Sequence, residues 1–223
     1  MLEVNNVCVS FRSERQEKIF GTARNQVLFD VSLKVSQGTC LGILGESGSG
    51  KSTLGRVICG LLKPDTGEVK IQDVSVYASR NGRKNLQKRL SVVFQDYTTS
   101  ANPRFRVKEI IAEGLAARER NQKIRLNRLE EINRLLELVG LNSSYANRYP
   151  HELSGGEMQR IALARAILKD APIVVLDEAS SFADPENEAK IQKAFEALMK
   201  GKTVLMIAHR LSTVRNMDRI FVI

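Results

Sequence analysis

The sequence predicts an α/β fold built on a mostly parallel sheet, and three observations lead to this prediction. Largely apolar runs occupy residues 39–44, 173–176 and 203–208, as expected of strands that are covered on both faces. Stretches with helical character separate these runs, so strands and helices alternate along the chain. A glycine-rich stretch, residues 45–53, joins the first apolar run to a predicted helix at residues 52–62.

The glycine-rich stretch has the spacing of a phosphate-binding loop. It reads Gly-Glu-Ser-Gly-Ser-Gly-Lys-Ser-Thr, in which a glycine is followed by four residues and then by Gly-Lys-Ser. Glycines adopt backbone angles that are closed to other residues, so several N–H groups can face a phosphate at the N-terminus of the helix. The alternative is a glycine-rich turn without a phosphate, which the strand before it and the helix after it disfavour.

This loop therefore predicts a binding site for a nucleoside triphosphate. We expect Lys51 to reach the β- and γ-phosphates and the hydroxyl of Ser52 to hold Mg²⁺. The residues expected to surround the phosphates are Gly45, Glu46, Ser47, Gly48, Ser49, Gly50, Lys51, Ser52 and Thr53.

Length and composition narrow the class of protein. The 223 residues suffice for one large domain, or for one domain with a subdomain. No apolar run approaches the roughly 20 residues of a membrane span, and the N-terminus lacks the apolar stretch of a signal peptide. The cysteines Cys8, Cys40 and Cys59 are scattered without metal-ligand spacing. We therefore expect a cytosolic chain with reduced cysteines, and any role at a membrane must come through a partner.

The net charge of +9 leaves two interpretations open, a solvated basic surface or a surface for nucleic acid or anionic lipid. Much of the positive charge lies in residues 80–89 and 104–134, without the aromatic residues of a single-strand-binding surface. We therefore expect a solvated surface and no nucleic-acid partner.

Secondary-structure patterns divide the chain into a mixed first part and a helical middle. Strands are expected at residues 2–11, 27–35 and 68–71, with a polar loop at residues 12–25. Residues 107–149 favour helices and predict an inserted helical subdomain at about residues 100–170. Gly140 is expected to cap one of these helices. The apolar face of that helix is predicted to consist of Leu126, Leu129, Ile132, Leu136 and Val139.

A second glycine-containing motif lies before the helix predicted at residues 158–169. Ser154 and Glu157 have the S-x-x-E spacing of a capping box. The box does not account for Gly155 and Gly156, because each glycine costs a helix about 1 kcal/mol relative to alanine. Two glycines here favour close approach of another molecule, and a helix N-terminus suits a phosphate.

Polar residues follow the apolar strands at the points where those strands end. Gly45 follows residues 39–44, Gln95 follows a short strand at residues 90–94, Asp177 and Glu178 follow residues 173–176, and His209 follows residues 203–208. In a parallel sheet such ends share one edge, where α/β proteins bind ligands. An aspartate at the end of an apolar strand also forms the second half of the phosphate-loop signature, since it organises Mg²⁺. A further helix is expected to begin at Asp184-Pro185.

The order of these motifs resembles the ATP-binding subunit of an ABC transporter over essentially the whole chain, residues 1–223. Leu-Ser-Gly-Gly-Glu, which ends at Glu157, is the most specific of them. The resemblance implies a P-loop NTPase core of the ABC ATPase type, with an antiparallel N-terminal β subdomain and an inserted helical subdomain. It also implies ATP and Mg²⁺ as cofactors of an ATPase that powers transport.

The resemblance assigns a role to each motif. Gln95 and Asp177 join Ser52 as Mg²⁺ ligands, and Gln95 also communicates with the membrane subunit. Glu178 is the general base, and His209 contacts the γ-phosphate. Residues 181–184, which end at Asp184, occupy the D-loop. The aromatic residue stacked on adenine is Phe11 or, less well supported, Phe20.

The resemblance also implies two kinds of partner. Residues Ser154, Gly155, Gly156 and Glu157 contact the nucleotide of an opposite ATPase subunit, so two subunits, identical or different, close head to tail over two ATP molecules. Transmembrane permease subunits then place the chain on the inner face of the cell membrane.

Several alternatives stay open at this stage. Residues 1–176 resemble nickel and oligopeptide importers, so we expect an importer of that type. The part after Asp184 resembles the exporter branch, so an exporter and a chimeric gene are alternatives. A non-transport ABC ATPase that acts on nucleic acid or ribosomes, and an ATP-binding scaffold, are further alternatives. Because the family continues through another turn and strand after the position of Ile223, we also expect that the C-terminus is truncated.

Overall fold

A computed structural model describes residues 1–17, 22–94, 100–177 and 185–223. The chain divides into two compact units, the first formed by Met1–Gln87 with Leu205–Ile223 and the second by Lys88–Val204. Strands and helices alternate as the sequence predicts, so the α/β class is confirmed.

The elements follow one another in this order. The chain begins with β1 (Leu2–Glu17), β2 (Thr22–Val35), β3 (Cys40–Leu44), α1 (Lys51–Ile58), β4 (Thr66–Ile71), β5 (Val74–Ser75) and α2 (Arg80–Arg89). It continues with β6 (Leu90–Val93), α3 (Val107–Gln122), α4 (Arg128–Leu138), α5 (Gly155–Lys169), β7 (Ile173–Asp177) and α6 (Pro185–Met199). It ends with β8 (Thr203–Ala208), α7 (Leu211–Val214) and β9 (Arg219–Val222). Two short 3₁₀ helices, Ser143–Asn147 and Pro150–Glu152, lie between α4 and α5.

An antiparallel sheet in the first unit has the strand order β2-β1-β4-β5. The pairs Leu2↔Val35 and Leu2↔Ile71 begin the two ladders that β1 forms with β2 and β4. The apolar side chains at Leu2, Val4 and Val9 are buried, which sets the face of β1 that packs inward.

The predicted polar loop at residues 12–25 is wrong for the residues described. β1 continues to Glu17 and β2 begins at Thr22, with Arg12 opposite Arg24 and Glu17 opposite Thr22. The ladder forms between backbone groups, so it continues where the side chains carry no apolar alternation. Residues 18–21 lie outside the described residues.

The first unit also contains the strands that flank the glycine-rich loop. β3 lies between β8 and β9 in the strand order and pairs in parallel with β9, Leu44 lying opposite Val222. Helix α1 approaches β8 so closely that a Cβ on Gly55 would lie 2.5 Å from Cδ1 of Ile207. The loop before α1 therefore begins and ends on tightly packed elements.

The second unit combines a parallel strand pair with helices. β6 and β7 pair from Leu90↔Ile173 to Val93↔Leu176. Helices α3 and α5 approach each other at Gly114, where an added Cβ would lie 2.4 Å from the carbonyl oxygen of Arg165. This close backbone approach requires glycine at that position.

Helix α4 confirms part of the predicted apolar face. Ile132, Leu136 and Val139 are buried, and so is Leu135. Leu129, however, is 69% exposed, and Leu126 lies before the helix begins. The predicted stripe is therefore wrong at its N-terminal end, because it extends one turn beyond the part of α4 that is covered.

Gly140 ends α4 as predicted. Its φ of 71° lies in the left-handed region, and the N–H of Leu141 donates to the carbonyl of Leu136 at 2.8 Å. This is the hydrogen-bond pattern of a Schellman motif.

One further boundary differs from its prediction, and one helix lies where none was predicted. The helix predicted at residues 52–62 ends at Ile58, because Gly60 takes a left-handed φ of 72° and the N–H of Leu62 turns back to the carbonyl of Arg56. The polar stretch at residues 80–89 forms helix α2, whose buried side consists only of Gly82 and Leu86. Such a narrow apolar side gives little periodic signal in the sequence.

Candidate nucleotide-binding site

The loop between β3 and α1 requires glycine at its last position. Gly50 has a φ of 99° and occupies the N-cap of α1. A Cβ there would lie 2.7 Å from Cδ2 of Leu28 and 3.0 Å from the carbonyl oxygen of Val27. Both the backbone angle and the available space therefore exclude other residues.

The other loop glycines meet two different requirements. A Cβ on Gly45 would lie 2.4 Å from the carbonyl oxygen of Ile223 and 2.6 Å from Oγ of Ser49. Gly48 has space around it but takes a φ of 84°. Gly45 is thus required by close packing and Gly48 by its left-handed backbone.

Lys51 is enclosed by the loop that precedes it. The residue is 3% exposed, and Nζ donates to the carbonyl of Glu46 at 2.6 Å and lies 3.5 Å from Oγ of Ser49. Burial of an ammonium group is costly unless such partners accept its hydrogen bonds. Glu46, Ser47 and Gly48, in contrast, are exposed at the tip of the loop.

Ser52 and Thr53 lie in the first turn of α1 and are half-buried. The first N–H groups of a helix have no partner within the helix, and they carry its positive dipole end. Together with the ammonium of Lys51, they form a set of hydrogen-bond donors suited to phosphate oxygens. The arrangement therefore fits the phosphate-binding interpretation.

Two more of the predicted site residues lie at strand ends. Asp177 is the last residue of β7 and is half-buried, after Val174, Val175 and Leu176, which are fully buried. His209 follows the fully buried strand β8 and is exposed. Gln95, Glu178 and Asp184, with residues 181–183, lie outside the described residues.

Of the two aromatic candidates for stacking on adenine, Phe11 is described and Phe20 is not. Phe11 lies on β1 opposite Asn25 and is 42% exposed. An exposed aromatic side chain is suited to stacking, but exposure alone does not select it.

The Ser154 motif of the second unit forms the predicted capping box. Glu157 N–H donates to Oγ of Ser154 at 3.3 Å, and Ser154 N–H donates to Oε2 of Glu157 at 2.7 Å. Added Cβ atoms on Gly155 or Gly156 would meet nothing within 4 Å among the described residues. Packing within the described part of this chain therefore gives no reason for the two glycines.

Two residues of this region were missed by sequence reasoning. The hydroxyl of Tyr145 donates to Oε1 of Glu157 at 2.6 Å. Arg160 is 6% exposed and donates to the carbonyls of Gly140 and Gly156, at 3.2 and 3.4 Å. Neither residue has a sequence pattern that would indicate its partner.

The described sites thus form local groups. Residues 45–53 form one group with Lys51 at its centre, and residues 154–157 form another around the capping box. The first group belongs to the first unit, and the second group, like Asp177, belongs to the second.

Comparison with known proteins identifies the family. The model of the ABC transporter family matches residues 28–181, which include the loop at residues 45–53 and the capping box at Ser154. The chain belongs to the ABC transporter family. In structure it is similar to the ATP-binding cassette MJ0796 in a dimeric post-hydrolysis state bound to ADP and Pi, with a TM-score of 0.84 and 26% identity. That match covers 100% of this chain and 94% of the other. The fold of this ABC protein is therefore that of an ATP-binding cassette.

Two sequence relatives are oligopeptide transport ATP-binding proteins named OppF. The protein of Bacillus subtilis (strain 168) is 42% identical over 196 residues, covering 86% of this chain and 64% of that protein. The protein of Streptococcus mutans is 36% identical over 225 residues, covering 99% of this chain and 70% of that protein. The chain thus spans about two thirds of the length of these relatives. The second match runs through both parts of the suspected chimera and gives no support to a mixed origin.

Proposed function

We propose that this ABC protein is the ATP-hydrolysing subunit of an oligopeptide importer. The observation that carries the proposal is the enclosure of Lys51 by a loop whose glycines are required by space and by backbone angle. The names of the two OppF relatives support the substrate class. ATP binding supplies the free energy, and partner membrane subunits conduct the peptide.

Each described residue of the loop has a place in the proposed binding of ATP. The N–H groups of residues 45–53 and the ammonium of Lys51 hold the β- and γ-phosphates. The hydroxyl of Ser52 and the carboxylate of Asp177, with Gln95, supply oxygen ligands of the kind that Mg²⁺ prefers. Mg²⁺ held there would supply positive charge against the phosphates.

Hydrolysis requires a base beside the attacking water. Glu178 takes this role, because a carboxylate there can accept a proton from water, and His209 contacts the γ-phosphate. His209 is exposed at the end of β8, which leaves its imidazole accessible to a ligand. Phe11 stacks on the adenine ring, and Asp184 belongs to the D-loop.

A second ATPase subunit completes the site. Ser154 and Gly155 are exposed, and the space around Gly155 and Gly156 is open among the described residues. Each glycine costs a helix about 1 kcal/mol relative to alanine, so two glycines in the first turn favour a partner that must come close. Head-to-tail closure over ATP supplies this close approach. The dimeric state of the cassette MJ0796 supports the proposal.

Replacing Gly155 with leucine tests the second subunit. The variant is expected to fold with unchanged or slightly raised thermal stability, since its Cβ meets open space and leucine favours the helix. It is also expected to lose ATP-dependent dimerisation and more than about 90% of ATPase activity, because the site is completed in trans. Light scattering and phosphate release measure both effects. Arg120→Leu, an exposed site on α3, controls for adding a surface leucine. Full ATPase activity in Gly155→Leu would contradict closure over this turn.

The proposed membrane partner is a permease, and the chain binds it at the inner face of the cell membrane. No helix in the described part of the chain is long and apolar enough to span a membrane. The segment at residues 95–105 joins β6 to α3, and its last residue, Phe105, is 36% exposed. We place the docking surface for a cytoplasmic helix of the permease on this segment.

Cysteine cross-linking tests the docking surface. Cysteines at Thr98 and Phe105 are expected to cross-link to a cytoplasmic loop of the permease in the assembled transporter. Leu129→Cys is the matched control, because Leu129 is an exposed apolar residue of the same unit outside the segment. Cross-linking from Leu129→Cys as strong as that from the test positions, or no cross-link from Thr98 and Phe105, would place the permease elsewhere.

A further inference from the structure

The turn that carries Ser154 is held by a contact from outside its own motif. The two carboxylate oxygens of Glu157 have different partners. Oε2 accepts the N–H of Ser154 at 2.7 Å, and Oε1 accepts the hydroxyl of Tyr145 at 2.6 Å. Glu157 therefore connects Tyr145 directly to the backbone of Ser154.

Tyr145 is itself anchored to the start of α3. It lies in the 3₁₀ helix Ser143–Asn147, and the guanidinium of Arg148 lies 4.0 Å from the centre of its ring. The carbonyl of Arg148 accepts the N–H of Val107 at 2.9 Å. Lys108 Nζ donates to Oδ1 of Asn147, also at 2.9 Å. The hydroxyl of Tyr145 is thus presented from a fixed segment.

The protonation states of Tyr145 and Glu157 favour the same hydrogen bond. Partial burial raises the pKa of Glu157, but hydrogen bonds from Tyr145 and Ser154 outweigh it, so this pKa lies below its ordinary value. The hydrogen bond to Glu157, with a smaller effect of burial, raises the pKa of Tyr145. At neutral pH the tyrosine is therefore the donor and the carboxylate the acceptor. A carboxylate in the first turn of α5 is also favoured by the helix dipole.

The sequence of the turn explains why outside support matters. Gly155 and Gly156 have no Cβ to restrict the backbone, and their surroundings are open among the described residues. Ser154 is exposed. A loosened Glu157 would release the N–H of Ser154, and the two glycines would then let the turn sample other conformations.

We propose that Tyr145 is a positioning residue for Ser154, which it holds through Glu157 in the geometry that reaches the nucleotide of the opposite subunit. The inference rests on the proposed function, because the role of Ser154 is to contact that nucleotide. In this role Tyr145 acts through Glu157 and needs no contact of its own with the nucleotide.

Tyr145→Phe tests this role, since it removes the hydroxyl and keeps the ring beneath Arg148. Tyr149→Phe is the matched control. Its hydroxyl lies in the same unit and accepts from Nε of Arg106 at 3.2 Å, away from Glu157. The first measurement is hydrogen exchange of a peptide covering residues 152–158, on the chain without nucleotide. We expect about threefold to tenfold faster exchange in Tyr145→Phe, as for the loss of one hydrogen bond, and no change in Tyr149→Phe. Unchanged exchange in Tyr145→Phe overturns the proposal.

The second measurement is ATP-dependent dimerisation in a Glu178→Gln background, followed by light scattering. Tyr145→Phe is expected to raise the ATP concentration for half-maximal dimer by about threefold to tenfold, with unchanged binding of ATP to the monomer. In a Glu157→Ala background the same substitution is expected to have no effect, because the two residues act in series. Faster exchange without a shift in dimerisation, or a shift that persists without Glu157, also overturns the proposal. A Glu178→Gln parent that fails to dimerise counts against the proposed function instead, and the exchange measurement then decides the role of Tyr145.

Discussion

Lys51→Ala is expected to abolish ATP binding and hydrolysis together. Lys51 is 3% exposed, and its ammonium lies 2.6 Å from the carbonyl oxygen of Glu46, inside the loop that is proposed to hold the phosphates. Truncating one partner of a buried charged pair costs about 2–5 kcal/mol, so ATP should bind at least about 30-fold more weakly. Because Lys51 is proposed to contact the phosphates before and during transfer, both the ground state and the transition state should lose the interaction.

The ATP-induced rise in melting temperature measures this loss. A ligand that binds only the folded protein stabilises it according to its concentration relative to Kd, so the rise should nearly disappear in Lys51→Ala. Arg56→Ala is the control, since Arg56 is an exposed cation in the last turn of the same helix α1. It should retain the full rise. A normal rise in melting temperature in Lys51→Ala would contradict phosphate binding by this loop.

The loop was predictable because its requirements are local. Gly48 and Gly50 take left-handed backbone angles, and Lys51 follows Gly50 directly. The residues that form the loop are therefore consecutive in the sequence. The capping box of Ser154 and Glu157 was predictable for the same reason, since its two members lie within one helical turn.

The errors and omissions lie where the structure depends on distant partners or on a weak pattern. Residues 12–17 carry no apolar alternation, yet their backbone pairs with β2. Helix α2 buries only Gly82 and Leu86, so its period is almost invisible in the sequence. Backbone pairing with β2 decides the first of these segments, which propensity alone does not predict.

The contacts of the Ser154 turn show a further limit of sequence reasoning. Tyr145 reaches Glu157 only because a 3₁₀ helix places it there, and Arg160 reaches the carbonyl of Gly140 across 20 residues. Side-chain contacts of this kind follow from the packing of α4 against α5. They can be named only after that packing is known.

Glu178→Gln is expected to separate binding from chemistry. Glu178 follows Asp177 directly and lies outside the described residues, so its role comes from the family motif. A glutamine keeps the size of the side chain but cannot accept the proton of water. ATP binding should stay normal while hydrolysis falls about 10²- to 10⁴-fold, the usual contribution of a general base. Glu137→Gln, an exposed position on α4, controls for the loss of one negative charge.

The stalled variant should also accumulate as an ATP-dependent dimer. ATP is proposed to bridge the loop at Lys51 of one subunit and Ser154 of the other, so blocking hydrolysis keeps the bridge in place. Adding Ser154→Arg should abolish the dimer, because a bulky side chain at the exposed start of α5 blocks the opposite γ-phosphate. ATP binding to the monomer should remain, because Ser154 is proposed to contact only the nucleotide of the opposite subunit. Light scattering with Mg²⁺ and ATP measures the dimer, and a fluorescent ATP analogue measures binding. A Glu178→Gln chain that binds ATP fully but stays monomeric at high concentration would contradict closure between two copies of this chain.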